Sequence, residues 1–170
     1  MAVNGADLDV VLIDRIIDGD DAAFAELVGL HGAAVLARCQ ALLRDSAPVE
    51  DAAQNTWIRA YIHLDDFRRD SRFRTWLFAI AARECYSIAR RGNRFEEITE
   101  QFAAEEADAS AVIDLQAAFA LLKPTDRIVL WLAHVDGYRH GEIAELLGVS
   151  EASVKMRASR ARSKVRAHVS

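Results

Sequence analysis

The clearest pattern of apolar and polar positions lies in residues 138–166. Ile143, Leu146 and Leu147 fall three and four positions apart, which places their side chains on one face of a short helix. Gly148 follows, and glycine most readily takes the left-handed conformation in which many helices end. The pattern therefore predicts a short amphipathic helix that ends in a tight turn.

A second helix is predicted directly after the turn, where Ser150 can cap its N-terminus with the side-chain hydroxyl. One stripe of this helix is apolar and partly small: Val154, Ala158, Ala161 and Val165. The other faces carry six cations: Lys155, Arg157, Arg160, Arg162, Lys164 and Arg166. Two helices across a glycine turn, the second of them basic, are typical of a helix-turn-helix whose second helix enters the major groove of DNA.

A helical hairpin with a solvated basic face is the alternative interpretation, because charge runs are usually solvated. Two features favour DNA binding instead. The small stripe residues let the second helix lie close to its support. Six cations in one short helix also repel one another unless an anionic partner lies alongside.

The rest of the chain shows helical periodicity without strand-like alternation, which predicts an all-α fold. The predicted helices are Leu8–Ile17, Asp20 or Asp21 to about Arg44, Val49–His63, Phe73–Arg91, Val112–Leu122, Thr125–Val135, His140–Leu147 and Ala152–Ala167. A turn is predicted at Asp45–Pro48, with Pro48 in the first turn of the helix that follows, where proline is tolerated. A charged loop is predicted at Leu64–Arg72. Phe95–Ala111 is rich in Glu and Ala and is interpreted as a linker, with partly helical structure left open. The predicted layout is two small helical domains with an acidic linker between them: residues 1–94, 95–111 and 112–170, the last containing the helix-turn-helix.

The distribution of charge is more informative than its total. The chain has 170 residues, 52% of them hydrophobic, which is enough for two small cores. Its net charge of −5 does not by itself suggest a nucleic-acid-binding protein. Residues 67–94 are net +6 and residues 117–170 net +4, whereas residues 1–66 are net −8 and residues 95–116 net −7. Two basic blocks separated by an acidic spacer indicate nucleic-acid binding despite the negative total.

The cysteines and the hydropathy of the chain indicate in which cellular compartment the protein is expected. Cys39 and Cys85 are far apart and lack paired spacing, so reduced core thiols are expected rather than a disulfide framework or a zinc site. The N-terminal segment is acidic, whereas a secretory signal begins with basic residues. Uninterrupted apolar runs such as Val10–Ile13 and Leu77–Ala82 are much too short to span a bilayer. A soluble cytoplasmic protein without membrane insertion is expected.

Residues suited to catalysis do not form a recognisable set. The five histidines show neither HExxH nor HxH spacing, and the sequence contains no glycine-rich phosphate loop and no G-x-S-x-G motif. The adjacent glutamates at 96–97 and 105–106 lie in the predicted linker, a poor place for paired catalytic carboxylates. The sequence therefore predicts no enzyme, no cofactor and no metal site.

Two further constellations indicate partners. The third helix carries a polar face with an apolar edge, which suits a protein partner, although an ordinary exposed face is the alternative: Glu50, Asp51, Gln54, Asn55 and Ile58. The segment Phe67–Arg94 combines aromatic rings with arginines, which suits single-stranded DNA because bases stack and phosphates pair. A core role is favoured for Trp76, Leu77 and Ile80. The loop residues before Phe73 are expected to be free of the core.

Three motifs in this order resemble a known family. They are EDAAQNTWIRAY at Glu50–Tyr61, FRRDSRFRTWLFAIAARE at Phe67–Glu84 and GEIAELLGVSEASVKMRASRAR at Gly141–Arg162. The chain resembles a bacterial RNA polymerase sigma factor of the extracytoplasmic-function group of the sigma-70 family, which keeps only regions two and four. The resemblance extends from about Asp20 to Arg166 and implies a subunit that directs core polymerase to promoters.

The resemblance implies specific partners. Core RNA polymerase is expected to bind through its β′ clamp helices and β flap, with Asp51 and Gln54 matching the family's D-x-x-Q. The implied polymerase-binding set is Glu50, Asp51, Gln54, Asn55 and Ile58. The family usually has Leu and Glu where this chain has Ala52 and Asn55, so weaker contact is expected there. An anti-sigma factor and promoter DNA are the other implied partners.

The resemblance also implies two promoter-binding sets. The −10 element would meet the loop that captures a flipped base: Phe67, Arg68, Asp70, Ser71, Arg72, Phe73 and Arg74. The −35 element would meet the second helix of the helix-turn-helix: Lys155, Met156, Arg157, Ser159 and Arg160. Arg160 is expected to face outward, away from the apolar stripe, and to pair with guanine. The acidic linker resembles the segment that the family threads through the polymerase active-site cleft.

A free-standing helix-turn-helix regulator, which binds duplex DNA without polymerase, is the alternative function. The first half of the chain discriminates between the two, because a plain repressor needs neither the D-x-x-Q helix nor the basic aromatic loop.

Overall fold

The computed structural model describes residues 5–44, 46–99 and 115–169, and every regular element in these ranges is helical. The helices are α1 (Gly5–Ile17), α2 (Asp21–Leu43), α3 (Ser46–Ile62), α4 (Phe73–Thr99), α5 (Leu115–Ala120), α6 (Pro124–His134), α7 (His140–Leu147) and α8 (Glu151–Val169), with one 3-10 turn at Leu64–Asp66. The predicted all-α fold is confirmed.

The chain forms two compact units, Met1–Cys85 and Tyr86–Ser170, and α4 runs across the boundary. This helix continues to Thr99, past the predicted end at Arg91, so the first residues of the predicted linker are helical. The remainder of that linker lies outside the described residues. The predicted boundaries of the two domains and the acidic linker therefore stay a prediction.

The junction between α1 and α2 forms as its residues predict. Gly19 takes a φ of 95°, which is the left-handed conformation that ends α1. The Asp20 carboxylate accepts a hydrogen bond from the backbone N–H of Ala22 at 3.1 Å and so caps α2. The same carboxylate binds the Arg15 guanidinium at 2.6 Å, which ties the last turn of α1 to the cap.

The start of α3 differs from the prediction. The helix begins at Ser46, so the later residues of the predicted turn Asp45–Pro48 are helical. Pro48 lies in the first turn, where its missing N–H has no partner to lose and its fixed φ already suits a helix. The predicted place of Pro48 in the first turn of this helix is therefore confirmed.

Helix α2 is longer than the apolar runs of the sequence indicate, because its apolar residues are interrupted by polar ones. It has 23 residues, and an 18-residue window within it reaches a mean hydropathy of 1.3, so by length and composition it could cross a membrane. An apolar helix inside a folded unit meets the same criteria. Here α2 packs against both α1 and α3, and it carries a buried arginine, Arg38.

The core of the first unit includes both cysteines. Cys39 of α2 and Cys85 of α4 are fully buried free thiols, which confirms their predicted place in the core. A hydrogen bond joins the two side chains and is the largest influence on the pKa of each thiol. It lowers the pKa of Cys39 and, together with burial, raises that of Cys85.

The helix-turn-helix forms in the second unit from α7 and α8. Gly148 has a φ of 66°, and the N–H of Val149 donates to the carbonyl of Ala144 at 3.0 Å, the pattern of a Schellman motif. The Ser150 hydroxyl accepts from the N–H of Ser153 at 3.2 Å and caps α8. The glycine turn and the serine cap predicted from the sequence are both confirmed.

The apolar stripe of α8 holds this helix against its unit. Val154, Ala158 and Ala161 are fully buried and Val165 is half-buried, as the pattern predicts. Ala161 packs with Leu122 and with residues of α5 and α6. Because these side chains are small, α8 lies close to its support, with its opposite face turned to solvent.

Candidate nucleic-acid and protein interfaces

The solvent face of α8 is a neutral strip between two cationic edges. Successive helical residues turn by about 100°, so the positions opposite the buried stripe form the middle of this face. These positions are exposed and mostly small: Ala152, Met156, Ser159 and Ser163. Lys155, Arg162 and Arg166 lie on one flank, and Arg160 and Lys164 on the other. Small residues in the middle allow close approach to base edges, while the flanking cations reach phosphates on both sides of a groove.

The first two predicted −35 residues lie on the accessible part of this face. Lys155 binds Glu151 of the first turn at 2.8 Å, with both side chains exposed. The hydrogen bond from Lys155 lowers the pKa of Glu151, which therefore stays ionised beside it. Met156 is a large apolar side chain exposed to solvent, and such a group suits contact with a thymine methyl.

Arg157 is turned away from the outward face. Its Nη1 donates to the Thr125 hydroxyl at 3.1 Å, and its Nε to the Ser153 hydroxyl at 3.3 Å. The Arg157 side chain is only 22% exposed. In the structure this predicted −35 residue therefore packs between α8 and α6. The predicted buried stripe of α8 did not include it.

Arg160 occupies an intermediate position. Its Nε and Nη2 donate to the two carboxylate oxygens of Asp126 in α6, each at 2.7 Å. The Arg160 side chain is 43% exposed, whereas Asp126 is fully buried. These hydrogen bonds raise the pKa of Arg160. The expected outward exposure is partly met, but one edge of the guanidinium already has a partner.

Asp126 was not singled out in the sequence. A signal was present, since Asp126 is the lone acid among residues 124–135, next to the buried residues of α6. A buried carboxylate needs a cationic partner. The basic helix α8 could supply this cation. However, Arg160 lies 34 positions after Asp126, so no local sequence pattern reveals the pair.

The predicted polymerase-binding face of α3 is largely accessible. Glu50, Asp51 and Gln54 are exposed, Asn55 is half-buried, and Ile58 is 56% exposed. Two large residues missed by the sequence argument, Tyr61 and Ile62, extend the same exposed surface. Their spacing of three and four from Ile58 was the signal that would have included them.

Ala52 does not belong to this face. It is fully buried, and its carbonyl accepts a hydrogen bond from the Thr56 hydroxyl at 2.6 Å. The expectation that an alanine here weakens polymerase contact is therefore wrong, because its side chain points into the core of the first unit. The residue type at this position affects packing instead.

The two phenylalanines of the predicted −10 set are core residues. Phe67 is 7% exposed and Phe73 is 3% exposed, and both pack against Trp76 with ring centroids 5.4–5.7 Å apart. The expectation that Phe67 is free of the core is wrong, because burial of a ring against aromatic neighbours is favourable. Neither ring is available to stack on a base in this structure.

The polar residues of the same loop remain accessible. The exposed members of the predicted −10 set are Arg68, Asp70, Ser71, Arg72 and Arg74. Arg69 between them takes a positive φ of 61°, and its guanidinium binds the Asp14 carboxylate of α1. Arg74 lies over the Phe78 ring, 5.0 Å from its centroid. The loop therefore exposes several arginines above buried aromatic rings, and the ion pair between Arg69 and Asp14 connects it to α1.

Comparison with known proteins gives two regional matches. The Sigma-70 region 2 family matches residues 27–95, which hold α3 and the loop, and the Sigma-70, region 4 family matches residues 113–165, which hold the helix-turn-helix. RNA polymerase sigma factor NccH of Alcaligenes xylosoxydans xylosoxydans is 31% identical, over 94% of this chain and 94% of its own.

Two further likenesses agree with this assignment. ECF RNA polymerase sigma factor SigW of Bacillus subtilis is 29% identical over 91% of this chain and 92% of its own. The solved sigma factor RpoE, in complex with the anti-sigma factor NepR from Bartonella quintana, is 25% identical with a TM-score of 0.55, and the match covers 86% of this chain and 96% of that chain. The chain therefore belongs to the extracytoplasmic-function group of the sigma-70 family, whose members bind core RNA polymerase and direct it to specific promoters.

Proposed function

We propose that this sigma factor binds core polymerase through the outer face of α3 and recognises promoters through the loop 64–72 and α8. The observation that carries the proposal is the accessible row formed by Asp51, Gln54 and Ile58. A regulator that works without polymerase has no use for this row, and the alternative function is not favoured.

The α3 face has the composition of a protein interface. Ile58 and Ile62 are each more than half exposed in the free chain. Covering what remains accessible of each would contribute about 1 kcal/mol. Asp51 and Gln54 lie beside them and supply hydrogen-bond partners that fix orientation. We propose Glu50, Asp51, Gln54, Asn55 and Ile58, extended by Ile62, as the polymerase-binding set.

The −10 element is proposed to meet the exposed polar residues of the loop rather than its rings. Arg68 and Arg72 supply cations for phosphates, and Asp70 and Ser71 supply hydrogen-bonding groups for a flipped base. Phe67 and Phe73 anchor the loop by packing in the core against Trp76. A flipped base costs a few kcal/mol of stacking, which a fitted site has to return.

The −35 element is proposed to meet the outward face of α8. Met156 and Ser159 lie in the neutral strip, where base edges approach, and Lys155 lies on its flank. Arg160 reaches the groove from the other flank while bound to Asp126. Arg157 contributes indirectly, through its contacts with α6.

The proposal extends to partners and location. Because RpoE is solved in complex with NepR, an anti-sigma factor is proposed as a partner of this chain too. The site of action is proposed to be the cytoplasm, where core polymerase works. No enzymatic activity, cofactor or metal ion is part of the proposed function.

Polymerase binding is tested by charge reversal on α3. Asp51→Arg should weaken association with core polymerase at least tenfold, because it places a cation in the proposed interface. Asp18→Arg is the matched control, since Asp18 is an exposed acid in the turn before α2. Affinity is measured by fluorescence titration with labelled protein, and helical circular dichroism should be unchanged in both variants. Equal affinity of the two variants would contradict the assignment of the α3 face.

A further inference from the structure

The carboxylate of Asp126 is buried in the second unit although its own helix does not use it. Asp126 lies in the first turn of α6, but the cap position Lys123 has no side-chain cap and the Asp126 carboxylate points to α8 instead. Burying an ionised carboxylate is unfavourable unless charged partners and hydrogen bonds satisfy it. Two arginines of α8 meet this requirement, so the burial of this carboxylate depends on contact with α8.

The two arginines differ in what they leave available. Arg157 lies 3.7 Å from Asp126, also binds Thr125 and is mostly covered, so its guanidinium is committed to the unit. Arg160 gives Asp126 only its Nε–H and one N–H of Nη2. A guanidinium has five N–H donors, so three stay directed away from the carboxylate.

The geometry of these remaining donors matches a guanine edge. Asp126 occupies the side of the guanidinium formed by Nε and Nη2. The end formed by Nη1 and Nη2 keeps one donor on each nitrogen, and two parallel donors are what the O6 and N7 atoms of guanine accept in the major groove. Asp126 thus restricts the orientation of a long flexible side chain that is still 43% exposed.

We propose that Asp126 is a specificity-determining positioning residue, which acts on the −35 element through Arg160 without touching DNA. This inference rests on the proposed function of α8. According to this inference, a residue of α6, outside the DNA-facing helix α8, determines base preference at one position of the −35 element. Arg160 without Asp126 would retain its charge and its attraction to phosphate, but not its fixed orientation.

The test uses holoenzyme on a library of promoters with a randomised −35 element. Arg160→Ala and Asp126→Asn should each reduce discrimination at the same base position by about tenfold, within the roughly 5- to 150-fold that one bidentate contact provides. The double variant should lose no more than Arg160→Ala alone. Preferences at positions contacted from the Lys155 side of α8 should be unchanged. Glu145→Gln, the same neutralisation at an exposed position of α7, should select the wild-type motif.

A second variant separates positioning from stability. Arg160→Lys keeps a cation for Asp126 but offers no second edge to a base, so it should lose the same single preference while losing less stability than Arg160→Ala. A purely structural role for Asp126 predicts instead that Asp126→Asn weakens every position alike, and that result would overturn the inference. An unchanged motif in Arg160→Lys would overturn it as well, whether or not Asp126→Asn folds.

The outcomes for the wild type distinguish the two proposals. If wild-type holoenzyme selects no −35 motif, the proposed function of α8 fails and the inference fails with it. If the wild type selects a motif and Asp126→Asn selects the same one with equal stringency, only the role of Asp126 is refuted.

Discussion

Replacing Phe67 by alanine separates a core role for this ring from a DNA-contacting role. Phe67 is 7% exposed and packs against Phe73 and Trp76 with centroids 5.7 and 5.4 Å away. Truncating a buried phenylalanine costs about 3–5 kcal/mol, from lost transfer free energy and the cavity left behind. A small domain is stable by only about 5–15 kcal/mol in total. Phe67→Ala should therefore remove a large part of the stability of the first unit.

The assay is urea unfolding of the full chain, with the unfolding transition monitored by tryptophan fluorescence. Trp57 and Trp76 both lie in the first unit, and Trp76 touches the altered ring. Phe67→Leu should cost less than Phe67→Ala because it keeps most of the apolar contact. Arg68→Ala alters the adjacent exposed residue and should change stability by no more than about 0.5 kcal/mol, while lowering promoter-dependent transcription.

One result would refute the core role. If Phe67→Ala leaves the free energy of unfolding within about 0.5 kcal/mol of the wild type and still abolishes −10 recognition, the ring acts on DNA and not on the fold. The loop would then have to open in the promoter complex, and Phe67 would return to the −10 set.

Two further predictions concern the thiols and the linker. The neighbouring Cys39 thiol and burial raise the pKa of Cys85, so the folded state retains a proton that the unfolded chain releases above the ordinary value of 9.0. Stability of the first unit should therefore fall as pH rises beyond about 9, and Cys85→Ala should flatten that fall in urea titrations; equal slopes would contradict the buried pair. Limited proteolysis of the free protein should cut first within residues 95–111, where the sequence offers few apolar anchors. A first cut inside α3 would contradict this boundary.

Local signals in the sequence predicted the recognition element well. Gly148, Ser150 and the stripe through Ala158 and Ala161 each act within a few residues, and the structure places all of them as predicted. The same holds for the exposed row on α3, since a helical face follows from spacing alone. These features need no information about distant parts of the chain.

Contacts between distant residues were not predictable in the same way. The carboxylate of Asp126 meets α8 only after both helices have packed, so periodicity within either helix does not reveal the pair. For Phe67 the residue type was compatible with stacking on bases and with packing in the core. Its arginine-rich neighbours favoured the first interpretation, whereas contact with Phe73 and Trp76 decides for the second.

Run-off transcription with core polymerase shows whether this chain directs polymerase to promoters and whether it does so through α3. The assay compares core enzyme alone, core enzyme with this protein and core enzyme with its Asp51→Arg variant on a genomic promoter library, followed by sequencing of the start sites. We expect discrete start sites that share −10 and −35 motifs and that are present only with the wild-type protein. Start sites identical to those of core enzyme alone, together with specific binding of the protein to duplex DNA without polymerase, would show that the chain acts as a free-standing regulator instead.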